Sequence, residues 1–196
     1  MISNEEKIYN EIINSYPHFL KPLTAVSKNT SDNKMLLESD FKVFDFDNVQ
    51  NEHVSCDSVV HKSPDCLIYY KGILYFIEFK QGSAKTHDIR LKIHEAIATL
   101  YNFTQKNIPS ISRSEFFKLH IRYAVILKKG NPATFLDTLN TISTRFYLKN
   151  LEGYLLKKTK VTNNPEEIHK IFKNLSNNAI TKLIVHNDNY PPETFA

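Results

Sequence analysis

Two carboxylates and a lysine lie close together around one short turn of the sequence. Asp65 precedes the turn, and Glu78 and Lys80 follow it. If the turn contains only Lys71 and Gly72, the flanking segments pair so that Asp65 and Glu78 lie directly opposite each other. Facing residues in a hairpin have Cβ atoms about 5 Å apart, and like charges at that distance are destabilising. The spacing therefore predicts a cation between the two carboxylates.

Lys80 belongs to the same predicted site, because side chains alternate along a strand and Lys80 shares a face with Glu78. Carboxylate oxygens suit Mg²⁺ or Mn²⁺, which keep bound water and accept phosphate oxygens. An ammonium group nearby can position an attacking water or help to deprotonate it. The combination predicts a site for phosphodiester hydrolysis. The alternative is an ordinary half-exposed strand with no site. A longer turn would favour this alternative, because it would shift the register and separate Asp65 from Glu78.

A β-hairpin and the helices around it must position these residues. Its two segments, 65–70 and 73–80, are rich in β-branched and aromatic residues. Ser3–Tyr16 predicts a helix before the hairpin, and His87–Phe103 predicts an amphipathic helix that packs on the sheet after it. Ile121–Leu127 predicts a buried strand.

Other segments have weaker patterns. They predict strands within residues 35–46, 54–60, 154–161 and 182–185, helices over 135–146 and 165–175, and a loop over 24–33. This order of elements indicates an α/β fold with a central mixed sheet flanked by helices. We expect one domain, with a core of about residues 1–130 and a C-terminal elaboration of about residues 131–196.

The run of residues 63–81, SPDCLIYYKGILYFIEFKQ, resembles the signature of the PD-(D/E)xK nuclease superfamily, which has the restriction-endonuclease-like fold. Asp65 with the proline before it, Glu78 and Lys80 match the three signature positions. The order of elements agrees with that fold over about residues 1–128.

The resemblance implies a site and an activity. Asp65 and Glu78 would bind Mg²⁺ or Mn²⁺ together with the backbone carbonyl of Phe79, and Lys80 would be catalytic. The implied enzyme is a metal-dependent endonuclease that hydrolyses phosphodiester bonds of DNA in restriction, defence or repair. Nucleic acid is the expected partner, DNA rather than RNA, and a homodimer stays open.

Further residues could support such a site. Folds of this kind often add an acid from the first helix, and Glu5 lies near the centre of that helix's apolar stripe; the alternative for Glu5 is an interaction with the helix dipole. Asp57, on a possible neighbouring strand, is a comparable candidate. His53 and His61 could also be metal ligands; the alternative is that they are ordinary surface or core residues. One helix face could contact phosphates, or be merely solvated; its residues are Lys85, His87, Arg90 and His94.

Two other functions stay open. The same tract is similar to the cap-snatching endonuclease domains of segmented negative-strand RNA viruses, which cleave RNA. Those domains usually take a histidine ligand from an N-terminal helix, and His18, just beyond Pro17, is the candidate here. The third hypothesis is a catalytically silent member of the fold that serves as a binding or immunity module.

Composition narrows the classes of function. The chain has 196 residues and a formal net charge of +4, but residues 1–60 hold 5 basic and 10 acidic side chains, whereas residues 61–196 hold 20 and 11. The basic surplus therefore surrounds the predicted site and suits a polyanion; the alternative is a surface of ordinary solvated lysines. With 4 glycines, the chain contains neither G-x-G-x-x-G nor G-x-x-x-x-G-K, which excludes those two classes of nucleotide-binding enzyme.

The sequence has no pattern typical of a disulfide scaffold, a zinc site or a membrane-spanning segment. Cys56 and Cys66 lack the spacing of a zinc site and predict free thiols. No apolar stretch approaches the roughly 20 residues of a membrane-spanning helix, and the first residues lack a basic and then apolar signal. We therefore expect a cytoplasmic protein with no membrane partner.

Overall fold

The computed structural model describes residues 2–29, 33–49, 61–82, 85–128, 145–188 and 190–196. Its α-helices are α1 (Asn4–Ser15), α2 (Leu23–Val26), α3 (Thr86–Asn107), α4 (Arg113–Phe116) and α5 (Pro165–Leu175). Its strands are β1 (Leu20–Pro22), β2 (Leu37–Glu38), β3 (Lys42–Asp45), β4 (Cys66–Tyr70), β5 (Ile73–Lys80), β6 (Ile121–Leu127), β7 (Lys158–Thr162), β8 (Leu183–Val185) and β9 (Glu193–Phe195). Two 3₁₀ segments occupy Pro17–Phe19 and Arg145–Leu151.

Six of these strands form a central mixed sheet in the order β1-β3-β4-β5-β6-β7. The pairs from β1 to β5 are antiparallel, and β5–β6 and β6–β7 are parallel. Parallel neighbours need a crossover, and α3 supplies it between β5 and β6. The chain is thus an α/β protein with a mixed central sheet flanked by helices, as its sequence predicts.

The turn between β4 and β5 has two residues. Lys71 and Gly72 both have positive φ, 47° and 76°, which gives the backbone twist that a two-residue hairpin favours. The strands pair in the expected register, with Tyr70 opposite Ile73 and Cys66 opposite Ile77. Residue 65, directly before β4, therefore lies at the level of residue 78.

The alternation of side chains along the hairpin divides the core between two faces. Leu67 and Phe76 pack with buried side chains of α1 and α3 on one face. Ile77 and Phe79 pack with α5 on the other face, where Phe172 stacks on Phe79 with ring centroids 6.2 Å apart. Glu78, which alternates with Ile77 and Phe79, belongs to the face that α3 covers.

The segment after residue 144 contributes to both sheets. β7 extends the parallel half of the central sheet. β8 pairs with β2 and β9 in a second, antiparallel sheet. Because β2 comes early in the chain, this second sheet joins the C-terminal part to the N-terminal part.

The bounds of β5, β6 and α5 agree residue for residue with the prediction, and the helix predicted over 87–103 extends to Thr86–Asn107. The loop expected over 24–33 is wrong at its start, because Leu23 is buried and begins the helical turn α2. The strand expected from residue 154 begins only at Lys158, because Gly153 adopts a φ of 78° and its N–H donates to the carbonyl of Leu156 in a turn.

Some predicted elements fall wholly or partly outside the described residues. They are the strand over 54–60 and residues 135–144 of the helix expected over 135–146. Within the described part of the chain, no helix is both long and apolar enough to cross a membrane.

Candidate functional site

The end of the hairpin brings Asp65, Glu78 and Lys80 together. The backbone N–H of Phe79 donates to Oδ2 of Asp65 at 2.5 Å, which holds this carboxylate against the end of β5. Nζ of Lys80 lies 2.6 Å from Oε1 of Glu78. The Glu78 side chain is 0% exposed, so its carboxylate depends on such partners to offset the loss of hydration.

A fourth charged residue, Lys92 on α3, reaches the same carboxylates. Its Nζ lies 2.8 Å from Oε1 and 2.9 Å from Oε2 of Glu78, and 3.8 Å from Oδ1 of Asp65. We call Asp65, Glu78, Lys80 and Lys92 the charge cluster. It contains two carboxylates and two ammonium groups, so it is neutral when all four are ionised.

Our sequence interpretation missed Lys92, although the sequence contains a signal for it. Lys92 lies three residues after Ile89 and four before Ala96, both of which are buried. These spacings place all three on one helix face. A lysine inside an apolar stripe needs a buried partner, and Glu78 is that partner.

Burial and mutual repulsion set the electrostatics of the cluster. Burial, followed by the negative charge of Glu78, raises the pKa of Asp65 well above its usual range, against the opposing effect of Lys92. Burial alone would lower the pKa of Lys92, but the carboxylates of Glu78 and Asp65 outweigh it, so the pKa of Lys92 is raised. The lysine is therefore charged where it meets the carboxylates.

Two buried neighbours stay neutral. Burial, and then the charges of Glu78 and Asp65, raise the pKa of Tyr123 well above its usual range, and its hydroxyl has no hydrogen-bond partner among the described residues. Burial also raises the pKa of the Cys66 thiol. Cys66 is a free cysteine, as expected, and its burial makes it unreactive; Cys56 lies outside the described residues.

A cavity of about 430 Å³ opens beside the cluster, with Asp65, Phe79 and Lys80 in its wall. Asp45 and Asp47 also line it, at the end of β3, and neither was predicted to belong to the site. They flank Phe46, whose N–H donates to the backbone carbonyl of Asp65 at 3.1 Å. The signal available in the sequence was the spacing of two acids on either side of one aromatic residue.

Both additional acids have partners of their own. Asp45 pairs with Lys21 at 2.6 Å and accepts a hydrogen bond from Asn48. Asp47 accepts a hydrogen bond from the hydroxyl of Ser63. Within the described ranges, no group of three or more histidine, cysteine, aspartate or glutamate side chains is arranged to hold a metal ion.

Asp65 and Glu78 are nevertheless a donor set that a small hard cation can use. Mg²⁺ is commonly held by one or two carboxylates and keeps several waters, for which it needs open space. The cavity beside Asp65 provides that space, and the carbonyl of Phe79 would be a third oxygen donor. The residues therefore fit Mg²⁺ or Mn²⁺ by type and number.

Glu5 does not reach the charge cluster, which corrects our expectation of a third ligand. The backbone N–H of His120 donates to Oε1 of Glu5 at 2.9 Å. The backbone carbonyl of His120 accepts a hydrogen bond from the N–H of Leu74, at the opposite end of β5. Glu78 lies four residues further on, about 13 Å at the usual rise per strand residue, because the first turn of α1 covers the start of β5 and not its end.

The predicted phosphate-contacting face of α3 is open to solvent for the most part. Lys85, His87 and His94 are exposed. Arg90 donates to the backbone carbonyl of Tyr147 at 3.0 Å and so ties α3 to the second 3₁₀ segment. Phosphate binding by this helix face stays a prediction.

The remaining candidates are four residues, of which the structure describes two. His18 is exposed in the first 3₁₀ segment, where its ring contacts Phe19, and His61 is exposed. His53 and Asp57 lie outside the described residues.

Comparisons with known proteins add no relative: no family model, no curated protein and no solved structure matches the chain.

Proposed function

We propose that the protein is a metal-dependent nuclease of the PD-(D/E)xK type, with Asp65, Glu78 and Lys80 as its active site. One observation carries the proposal: the hairpin register places two carboxylates together, one of them fully buried, beside a polar cavity and a lysine. A carboxyl whose pKa is raised by burial and by a neighbouring charge, as in Asp65, is typical of functional sites when it lines a cleft.

The same proposal extends to the fold. Helix α1, the antiparallel strands β3, β4 and β5, the crossover helix α3 and the parallel strand β6 follow the element order of a restriction-endonuclease-like core. In this interpretation β7, α5, β8 and β9 are additions specific to this chain.

Each residue then has a distinct task. Asp65 and Glu78, with the carbonyl of Phe79, would hold Mg²⁺ or Mn²⁺. When bound, such an ion polarises a phosphoryl oxygen and lowers the pKa of a bound water. Lys80 orients the attacking water through its ammonium group and offsets the negative charge that develops on the phosphate. The hydrogen bond from Phe79 fixes the direction of the Asp65 carboxylate.

We favour DNA as the substrate and RNA as the second choice. The basic surplus of residues 61–196 suits either polyanion. The cap-snatching alternative needs a histidine beside the acids, and His18 instead contacts Phe19.

A binding module of the same fold that has no metal is the second candidate function, and the charge cluster offers an argument for it. Lys80 and Lys92 together already neutralise the two carboxylates, so the metal-free cluster is a balanced network of ion pairs. Such networks also occur as purely structural features.

A cleavage assay separates the two functions. Supercoiled DNA, linear DNA and single-stranded RNA are incubated with the protein and Mg²⁺ or Mn²⁺, and Lys80→Ala and Glu78→Gln are compared with wild type. We expect wild type to cut DNA and both variants to cut at least about 100-fold more slowly. Lys106→Ala, an exposed position at the far end of α3, is the matched control.

If wild type and both variants cleave at the same rate, the assignment of Glu78 and Lys80 to the active site is wrong. Absence of cleavage on all three substrates, with folded protein confirmed by circular dichroism, would favour the binding module.

A further inference from the structure

The ammonium group of Lys92 occupies the space that a divalent cation between the two carboxylates would need. It is within hydrogen-bond distance of both oxygens of Glu78, at 2.8 and 2.9 Å, and 3.8 Å from Asp65. Lys80, by contrast, contacts one oxygen of Glu78. Lys92 is therefore the cation that bridges the acidic pair.

An ammonium group and a metal ion cannot share this position. Mg²⁺ binds carboxylate oxygens at about 2.1 Å, so an ion on Asp65 and Glu78 would lie within a few ångströms of Nζ of Lys92. Like charges that close repel strongly in a partly buried site, where water screens them weakly.

We propose that Lys92 is a resident counter-cation of the acidic pair, and that a divalent cation binds only by displacing its ammonium group. The inference rests on the proposed function, because it concerns the same carboxylates. It adds that Lys92 weakens metal binding while it stabilises the metal-free fold.

The structure offers the displaced side chain a second place. The Lys92 side chain is 16% exposed, so part of it already faces solvent. Asp88 and Glu95 lie four residues before it and three after it, the spacings at which helical side chains meet. Both carboxylates now contact Lys62, Asp88 through Nζ and Glu95 through the backbone N–H.

Displacement also changes the charge that the site presents to a substrate. The cluster is neutral with both lysines in place, and a divalent ion added to it would leave two excess positive charges. With Lys92 withdrawn, one excess positive charge remains, which a single phosphodiester group balances. Withdrawal of Lys92 thus matches the site to one phosphate.

The test is Mn²⁺ titration by isothermal calorimetry of wild type, Lys92→Met and Lys92→Gln. Lys92→Met keeps an unbranched side chain, one atom shorter, and removes its charge, and Lys92→Gln is the second variant in case the first does not fold. We expect both to bind Mn²⁺ about tenfold or more tightly than wild type, the scale on which neighbours of metal ligands tune affinity. Lys106→Met, on an exposed position of the same helix, should bind as wild type does.

The double variant Lys92→Met with Asp65→Asn locates the effect and should lose the gain in affinity. If wild type binds Mn²⁺ and the Lys92 variants bind no more tightly, the inference is overturned and the proposed function stands. If the Lys92 variants bind and wild type does not, the inference stands and a metal-dependent activity of the natural chain fails. If none of them binds, both fail.

Discussion

Glu78 is the most enclosed charge in the protein's proposed site, and two lysines hold it. A buried carboxylate that loses a cationic partner keeps the cost of its dehydration, so the removal of one partner is far more damaging than the net value of the pair suggests. The contacts of Lys92 with both oxygens of Glu78 make it the stronger of the two partners.

We therefore expect Lys92→Met to lower the free energy of unfolding by about 3 kcal/mol when EDTA removes divalent ions. Urea unfolding followed by circular dichroism measures this change. Lys106→Met should change stability by less than about 0.5 kcal/mol, because its side chain is exposed. If the two variants are equally stable, Lys80 alone is enough to compensate the buried charge of Glu78.

The raised pKa of Asp65 predicts how stability depends on pH. A carboxyl whose pKa is higher in the folded than in the unfolded chain binds its proton more tightly when folded, so stability falls as pH rises through the interval between the two values. Burial and the charge of Glu78 cause this shift. Asp65→Asn should thus be more stable than wild type at pH 7 in EDTA, and the difference should shrink as pH falls and be lost below about pH 4.

Asp88 supplies a control of opposite sign for that experiment. Its hydrogen bond with Lys62 lowers its pKa, so its contribution to stability is present at neutral pH and is lost as pH falls through the folded value. Asp88→Asn should be less stable than wild type at pH 7. Urea unfolding at pH 7 and pH 3.5 measures both variants, and a less stable Asp65→Asn at pH 7 would contradict the assigned repulsion.

At the scale of elements, the turn of the hairpin sets the register on which the site depends. Gly72 has a φ of 76°, and a Cβ added there would meet no atom within 4 Å, so a substitution acts through backbone strain alone. We expect Gly72→Ala to cost about 1 kcal/mol of stability in urea unfolding. Gly82→Ala, which has equal space and no positive φ, should be neutral or slightly stabilising.

The same elements show why part of the site could be predicted from the sequence and part could not. Register in a two-residue hairpin follows from the turn and from alternation, so the approach of Asp65 to Glu78 was a local inference. Lys92 depends on the rotation of α3 relative to the sheet, which only packing decides. The prediction of Glu5 as a third ligand was wrong for the same reason. The apolar stripe of α1 shows which side of the helix faces the sheet, but not which end of β5 the helix covers.

At the scale of the whole molecule, the two faces of the sheet are completed by distant parts of the chain. α5 covers Phe79, which lies between the site residues Glu78 and Lys80. β8 pairs with β2, and β7 pairs with β6. A chain that ends at residue 130 lacks these partners and exposes one apolar face of the hairpin.

We expect this truncated chain to lose cooperative thermal unfolding and to be digested rapidly by trypsin, because its sheet is covered on one face only. A chain that ends at residue 188 lacks the short edge strand β9 and keeps α5 and β8, so it should retain a cooperative transition. Differential scanning calorimetry measures both, and a cooperative transition for residues 1–130 would show that the core folds alone.

The parts of the site and the helix that covers the opposite face of the sheet are synthesised at different times. Because the hairpin and the crossover helix are adjacent in the chain, all four charges of the cluster leave the ribosome in one stretch, from residue 65 to residue 92. The helix that closes the opposite face emerges much later. A nascent chain therefore holds a complete set of charges on a hairpin that is covered on one face only, and its proposed chemistry becomes available only after α5 has been synthesised.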